Sequence, residues 1–268
     1  MGIPAELSQR IRPASMARER LLPVAPALES LLPDAGLCRG TCVQVMPGAG
    51  GLSLALALVS AASAAGSWVA VLGSSGLGAA AAAEFGVDLG RFALVGGHRV
   101  GQGSLARPKP PMSTSPEVWT KAASALFDAV DVVVLRLRAH GSGGLRRPDA
   151  SRLAARARDR GVAVVALGDW SEAAEVRIRI ESCEWAGLDN GGGHLRARRA
   201  EAVSELRRGA TRRLSLWLPG ADGQVSLAQA QPESLRPAGQ KCAGRIDIGA
   251  RAETEAPDAE REEICEAG

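Results

Sequence analysis

The sequence contains no tyrosine, and aromatic residues of any kind make up only 3% of its 268 residues. The core that its 46% hydrophobic content supports must therefore be filled mainly by alanine, valine, leucine and glycine. Lysine is restricted to Lys109, Lys121 and Lys241, so arginine supplies nearly all the positive charge. So few aromatic rings argue against a protein that binds single-stranded nucleic acid by stacking bases on them.

Cysteine and histidine are also scarce, and their spacing offers no metal site. The five cysteines are odd in number and form no C-x-x-C pair, and the three histidines lie far from Cys38 and Cys42 in the sequence. A structural zinc site needs four such ligands, so these two cysteines cannot complete one. We expect no metal and no cofactor, and this use of cysteine indicates a reducing, cytoplasmic compartment.

Signals for secretion or membrane insertion are missing as well. Residues 1–20 contain several charges and no apolar segment typical of a signal peptide. Residues 52–71 are uncharged and long enough to resemble a membrane span. A glycine-rich turn precedes this stretch and Gly66 interrupts it, which favours a helix followed by a strand. We therefore expect a soluble protein without membrane contact.

Composition divides the chain into three parts. Residues 1–36 predict an N-terminal helical arm, residues 37–228 a folded domain and residues 229–268 a mostly disordered tail rich in Pro, Ala, Gly and Glu. The end of this tail is acidic, because residues 249–268 hold two arginines and seven acids. Apolar residues in the two flanking parts are candidates for partner contact, namely Leu21, Leu22, Ile246, Ile248 and Ile264.

The central part alternates short apolar strands with helices. Strands at residues 41–45, 67–72, 92–95, 131–135 and 162–167 are separated by helices, an order typical of a parallel sheet with right-handed crossovers. Beyond residue 176 the pattern changes to strict alternation around Gly/Asp turns, which predicts antiparallel strands at residues 176–180, 195–200, 213–218 and 225–227. The predicted fold is therefore α/β, a RecA-like core with a mainly parallel sheet and a C-terminal antiparallel extension.

A glycine-rich turn lies between the first of these strands and its helix, where a P-loop would stand. A P-loop has the sequence G-x-x-x-x-G-K-[ST], whose lysine neutralises phosphate and whose hydroxyl holds magnesium. Residues 46–53 read Met-Pro-Gly-Ala-Gly-Gly-Leu-Ser, so Gly51 and Ser53 keep their places. The first glycine is replaced by Met46 and the lysine by Leu52, which cannot neutralise a triphosphate. Gly48 and Gly50 complete the degenerate turn.

A second position points the same way. A Walker B strand ends in an aspartate that helps to hold magnesium, whereas the apolar strand at residues 130–135 is followed by Arg136. A cation at this position opposes metal binding. The acids that activate water after the second strand of RecA-type ATPases are also missing, since no acid occurs after this strand until Glu84. A weak phosphate-binding turn with Arg136 as a surrogate cation remains an alternative to a purely structural turn.

Several ordered blocks resemble the ImuA family. They are residues 36–40 (Gly-Leu-Cys-Arg-Gly), the degenerate turn, residues 86–89 (Gly-Val-Asp-Leu), 115–119 (Ser-Pro-Glu-Val-Trp), 125–131 and 217–223 (Trp-Leu-Pro-Gly-Ala-Asp-Gly). The missing lysine is similar to the actinobacterial branch, ImuA-prime. The resemblance covers roughly residues 20–228 and leaves the tail outside it.

This resemblance implies a non-catalytic adaptor in damage-induced mutagenesis, located in the cytoplasm at sites of DNA replication or damage. Its expected partner is an ImuB-type homologue of Y-family polymerases that lacks catalytic residues, and through it an error-prone C-family DNA polymerase. The complex performs translesion synthesis during the SOS response. An apolar N-terminal arm also permits self-association or contact with RecA.

The residues themselves allow two functions other than that of an adaptor. Arg146, Arg147, Arg152 and Arg156 form part of the densest basic run, a candidate contact for single-stranded DNA and the basis for a RecA paralogue that modulates recombination filaments. A solvated basic helix explains the same residues. The third function is a divergent nucleotide-binding regulator, for which a residual phosphate-binding turn would suffice.

The loss of the lysine and the acids makes ATP hydrolysis testable at once. We expect the purified protein to show no magnesium-dependent ATP hydrolysis, because three separate chemical roles are missing. Release of inorganic phosphate from ATP measures this, with the Ser53→Ala variant as the control for contaminating enzymes. Turnover that disappears in Ser53→Ala would show that the degenerate turn is an active site after all.

Overall fold

The structure is a computed structural model that describes residues 20–73, 77–96, 116–137, 145–170, 174–189 and 192–228. Before the main sheet, the short strands β1 (Leu21–Leu22) and β2 (Leu37–Cys38) pair with each other and enclose a 3-10 helix, Pro26–Leu31. The parallel strands are β3 (Cys42–Val45), β4 (Val69–Leu72), β5 (Phe92–Val95), β6 (Val132–Arg136) and β7 (Ala163–Leu167). The antiparallel part consists of β8 (Val176–Asp189), β9 (Gly192–Leu206), β10 (Arg212–Trp217) and β11 (Ser226–Leu227).

In the part of the chain that the structure describes, four α-helices lie between the parallel strands. Helix α1 spans Gly51–Ala64, α2 spans Ala79–Glu84, α3 spans Pro116–Phe127 and α4 spans Arg147–Arg160. A second 3-10 helix, Leu89–Arg91, leads into β5. No helix among the described residues is both long and apolar enough to cross a membrane.

One sheet of nine strands organises the described residues. Its order is β11-β10-β9-β8-β3-β7-β6-β4-β5, with parallel pairing from β8 to β5 and antiparallel pairing from β8 to β11. Strand β8 therefore pairs in parallel with β3 on one side and antiparallel with β9 on the other. This confirms the predicted α/β class with a mainly parallel sheet and an antiparallel extension.

The sheet separates two apolar cores. Helices α1 and α2 and the first 3-10 helix pack on one face, whereas α3 and α4 pack on the other. Strands β4, β6 and β7 are covered by helices on both faces of the sheet. None of their side chains faces solvent over most of their length, and their sequences are therefore continuous apolar runs. Ala55, Ala57 and Ala62 of α1 are fully buried, so the helix can lie close to the sheet.

The segment before β3 differs from the predicted helical arm. Its described part, residues 20–36, contains no α-helix, because Pro23, Pro26 and Pro33 prevent regular backbone hydrogen bonding. Its leucines pack into the protein's own core instead, with Leu28 and Leu31 fully buried. Residues 1–19 and the tail, residues 229–268, lie outside the described residues.

The hairpin formed by β8 and β9 is much longer than the predicted strands at residues 176–180 and 195–200. Register shifts between Ile180 and Ser182 and between Ala186 and Leu188 mark bulges that let the pairing continue. Gly187 serves the second bulge, since a Cβ there would lie 2.2 Å from the carbonyl oxygen of His194. Alternation alone could not reveal this length because a bulge interrupts the two-residue period.

The sequence predicts a basic helix at residues 150–160 that ends at Gly161, whereas α4 begins three residues earlier, at Arg147. Arg146 is its N-cap residue and Asp149 lies in the first turn, whereas the sequence suggested Asp149 as the cap. Pro148 fits within this first turn because its missing N–H would have no helical partner there. The predicted end is confirmed, since Gly161 adopts a left-handed conformation with φ of 67° directly after the helix.

Two glycines with similar backbone angles offer a matched test of packing around the sheet. Gly168 (φ 129°) follows β7, and a Cβ there would lie 2.8 Å from Cβ of Leu137; Gly66 (φ 100°) follows α1 with open space around it. We expect Gly66→Ala to cost about 1 kcal/mol in unfolding free energy and Gly168→Ala roughly 3 kcal/mol. Urea unfolding measures both. Equal losses would contradict the close contact at Gly168.

Candidate functional site

The turn between β3 and α1 is built on glycine. Gly50 adopts a left-handed conformation with φ of 95° as the N-cap residue of α1. A Cβ on Gly51 would lie 2.9 Å from the carbonyl oxygen of Met46, so only glycine fits there without movement. The N–H of Met46 donates to the carbonyl of Ile178 at 2.8 Å, which fixes the turn against β8. The sequence-predicted turn, including Gly48, is thus a tight connection at the carboxyl end of β3.

The two residues that would complete a P-loop take other roles. Leu52, in place of the lysine, is partly buried against the apolar core. Ser53 keeps its hydroxyl, but its Oγ accepts a hydrogen bond from Nη2 of Arg198 at 2.8 Å. No side chain caps the first turn of α1. The remaining P-loop hydroxyl is therefore bonded to a cation of the protein itself.

Arg198 enters this site from β9 and is only 8% exposed. Its Nε donates to the carbonyl of Leu218 at 2.7 Å, and its Cζ lies 5.1 Å from the centre of the Trp185 ring. Trp185 is its direct neighbour across the hairpin, so the contact is a cross-strand pair. Burial lowers the pKa of the Arg198 guanidinium, because no carboxylate of the described residues pairs with it.

These residues do not fit a magnesium–nucleotide complex. Magnesium requires oxygen ligands, and the hydroxyl that would supply one is bonded to a guanidinium. The side chain at the lysine position carries no charge. Arg136 ends β6 opposite Leu167 and is half-buried, so a cation also stands where the Walker B carboxylate would be. The cation bonded to Ser53 is Arg198, a residue that the sequence did not single out.

Salt bridges neutralise part of the predicted DNA-binding surface. Arg156 of α4 pairs with Asp128 at 2.6 Å, and Arg160 pairs with the same carboxylate at 2.9 Å. The side chains of Arg146, Arg147 and Arg152 remain exposed. Arg152 also lies 3.6 Å from Asp149. Helix α4 is therefore tied to the end of α3 through Asp128, and two of its five arginines serve that contact.

The predicted partner residues divide between the core and the residues outside the structure. Leu22 is 5% exposed and belongs to the apolar core, and Leu21 is partly buried beside Gly36. Leu22 thus contacts its own domain. Ile246, Ile248 and Ile264 lie outside the described residues.

The cysteines of the described residues show no reactive or metal-binding arrangement. Burial, followed by a hydrogen bond to Asp34, raises the pKa of Cys38 to about 12. Burial also raises the pKa of Cys42. In the part of the chain that the structure describes, no three His, Cys, Asp or Glu side chains come together as a metal site would require. Neither thiol is suited to act as a nucleophile at neutral pH.

Sequence reasoning missed a polar cleft beside the turn. Gln44 is buried in β3, where its Nε2 donates to the carbonyl of Gly168 at 2.7 Å and its Oε1 accepts from Arg177 at 3.1 Å. The cleft has a volume of about 190 Å³ and is lined by Gln44, Met46, Asp169, Arg177, Arg179 and Glu205. A glutamine within an apolar strand was the signal that could have indicated it.

Arg198 was missed for a different reason. It lies in an alternating strand, where arginines at 196 and 198 occupy equivalent positions on one face. One of them is exposed and the other is buried. Only the position of the hairpin beside the turn distinguishes them.

Comparisons with known proteins agree with this architecture. The model of the MT3502 N-terminal domain family matches residues 30–172. The uncharacterized protein Rv3395c of Mycobacterium tuberculosis is 32% identical over 182 residues, which cover 67% of this chain and 72% of that protein. A KaiC-like protein of Pyrococcus horikoshii has a TM-score of 0.50 and 13% identity, covering 78% of this chain and 98% of its own. This likeness confirms the predicted RecA-type fold.

The bond between Arg198 and Ser53 predicts the outcome of restoring the lysine. We expect Leu52→Lys alone to gain no binding of magnesium–ADP, because Arg198 still holds the hydroxyl that the metal needs. Adding Arg198→Met frees Ser53 and adding Arg136→Asp returns the Walker B carboxylate, so the triple variant should be stabilised by magnesium–ADP. The shift of the melting temperature measures this. Arg198→Met alone is the control. If magnesium–ADP raised the melting temperature of Leu52→Lys alone, Arg198 would not be preventing Ser53 from binding the metal.

Proposed function

Since the chain belongs to the family of the MT3502 N-terminal domain, we propose that it is a non-catalytic adaptor in mutagenic translesion DNA synthesis. Its partner would be an ImuB-type homologue of Y-family polymerases without catalytic residues. An error-prone C-family polymerase would be reached through that partner. The sequence blocks that resemble ImuA-prime support this proposal, and all of them lie within residues 20–228.

The main support for a non-catalytic role is the hydrogen bond that Arg198 donates to Ser53. A RecA-type motor needs a metal ion and a lysine at the turn before α1. Here Arg198 bonds to the hydroxyl that would hold the metal, and Leu52 occupies the position of the lysine. Arg136 adds a second cation at the Walker B position. A scaffold with these replacements can still present surfaces to partners, which fits an adaptor better than an ATPase.

The structure bears on where a partner would bind. The leucines at residues 22, 28, 31 and 32 are buried in their own domain, which disfavours the described part of the N-terminal segment as a partner site. Of the four arginines predicted to contact DNA, Arg146, Arg147 and Arg152 are exposed, whereas Arg156 pairs with Asp128. These observations favour the tail, with its isoleucines among acids, as the segment that contacts the polymerase homologue.

Co-purification with the polymerase homologue tests the adaptor function. We expect the full chain to retain the ImuB-type protein and a chain truncated after Leu227 to lose it. The core should keep its cooperative unfolding in both. A matched variant replaces Ile246, Ile248 and Ile264 by serine in the full chain, which removes the apolar contacts but keeps the acids.

Three results would separate the alternatives. Binding that survives truncation would place the contact in residues 20–228. Binding lost on truncation but retained in the serine variant would assign it to the acidic residues of the tail. No retention by the full chain would contradict the adaptor function itself.

A further inference from the structure

The last strand of the sheet leaves a leucine exposed at the sheet's edge. Strand β11 pairs with β10 on one side and ends the order of nine strands. Leu227 is 52% exposed, whereas Leu216, which lies opposite it on β10, is fully buried. Edge strands of soluble proteins are usually protected by a charge, a proline or a bulge, and β11 has none of these. Among the described residues, this edge is therefore open to pairing with another strand.

The backbone of Leu227 is oriented for such pairing. The N–H of Ala228 donates to the carbonyl of Ser215 at 2.9 Å, and Leu227 lies opposite Leu216. In an antiparallel pair, successive residues direct their N–H and C=O groups alternately toward and away from the neighbouring strand. The N–H and C=O of Leu227 therefore point away from β10, on the side where no described strand lies.

A groove lies beside this edge, between β10, β11 and the first 3-10 helix. Its volume is about 440 Å³, and its lining is mainly apolar. Ala27 and Leu32 are its buried residues, and its exposed rim includes Pro26, Pro33 and Leu227. The prolines form a wall of the groove, while the leucines of the 3-10 helix stay in the core. A segment paired with β11 would direct every second side chain toward the face that carries this groove.

The charges of the groove do not favour a charged ligand. It is lined by one acid, Glu29, and one base, Arg212. Arg212 already donates to the carbonyls of Ser30 and Leu32. Binding here would depend on backbone hydrogen bonds and on burial of apolar side chains, so high salt should weaken it little.

From the open edge and the apolar groove we infer that β11 and the first 3-10 helix hold an extended segment of the polymerase homologue that carries aliphatic side chains. Strand pairing supplies the hydrogen bonds, and the groove selects the side chains. This inference rests on the proposed adaptor function and adds a second contact to that of the tail. Residues 229–268 follow closely after β11, so a partner held by the tail is at high local concentration beside the groove.

The groove holds only a few side chains, whereas a stable interface buries about 800 Å² on each partner. The groove therefore strengthens a complex that the tail begins, and it does not retain the partner once the tail is removed.

Affinity measurements with the full chain and the polymerase homologue test this surface. We expect Leu227→Lys to weaken the affinity by about tenfold or more at low and high salt, because a charge replaces the apolar contact at the edge. Leu195→Lys is the matched control, because Leu195 also lies in a strand and is 51% exposed. This control should bind as the native chain does.

A second variant and a second measurement do not depend on that substitution. Ser30 lines the groove, so the ring of Ser30→Trp should occlude it and weaken the affinity while β11 stays unchanged. This variant decides the question if Leu227→Lys fails to fold. Hydrogen–deuterium exchange reports on the strand pairing itself, because the amide of Leu227 should be protected only in the complex.

Three results would overturn the inference. Native affinity in Leu227→Lys and Ser30→Trp, with an unprotected Leu227 amide in the complex, would show that the partner does not cover the groove, and the adaptor function would stand. A native chain that does not bind the polymerase homologue would overturn the adaptor function and this inference together. Native dimers that Leu227→Lys dissociates in analytical ultracentrifugation would assign the groove to a second copy of the chain.

Discussion

The guanidinium of Arg198 joins three parts of the chain that are distant in sequence. It links Ser53 at the start of α1, Leu218 after β10 and Trp185 on the facing strand of the hairpin. Each contact uses a different property of the side chain, its planar fork of donors for the first two and its positive face for the third. Because the group is buried, its position depends on all three, and the antiparallel extension is held against the glycine turn at this point.

This arrangement depends on β8, which changes the sheet from parallel to antiparallel pairing. Its parallel pairing with β3 places Ile178 beside Met46, and its hairpin with β9 then places Arg198 on the face that carries α1. Among the described residues, neither apolar cluster includes side chains from the opposite face of the extension. Charged side chains pair there instead, as Arg179 does with Glu181 and Glu205, and Arg213 does with Glu181. The hydrogen bonds from these arginines lower the pKa of Glu181.

Local sequence was sufficient to predict the parallel half of the fold. The apolar runs of β4, β6 and β7 and the glycine after α4 signal their structure without reference to the rest of the chain. The degenerate turn and Arg136 were also visible, because each is defined by its position next to a strand. Arg198 was not, since its burial depends on two bulges and on the pairing between β3 and β8. The residues that determine the chemistry of the turn therefore come from a strand whose sequence alone is typical of an exposed hairpin.

The contact between the first 3-10 helix and β10 has a consequence for synthesis of the chain. Arg212 donates to the carbonyls of Ser30 and Leu32, which precede it by 182 and 180 residues. Leu216 of the same strand is fully buried in the core that these early residues share. During translation, the leucines at residues 28, 31 and 32 cannot be buried against β10 until that strand has left the ribosome. Until then they are exposed apolar surface of the kind that chaperones shield.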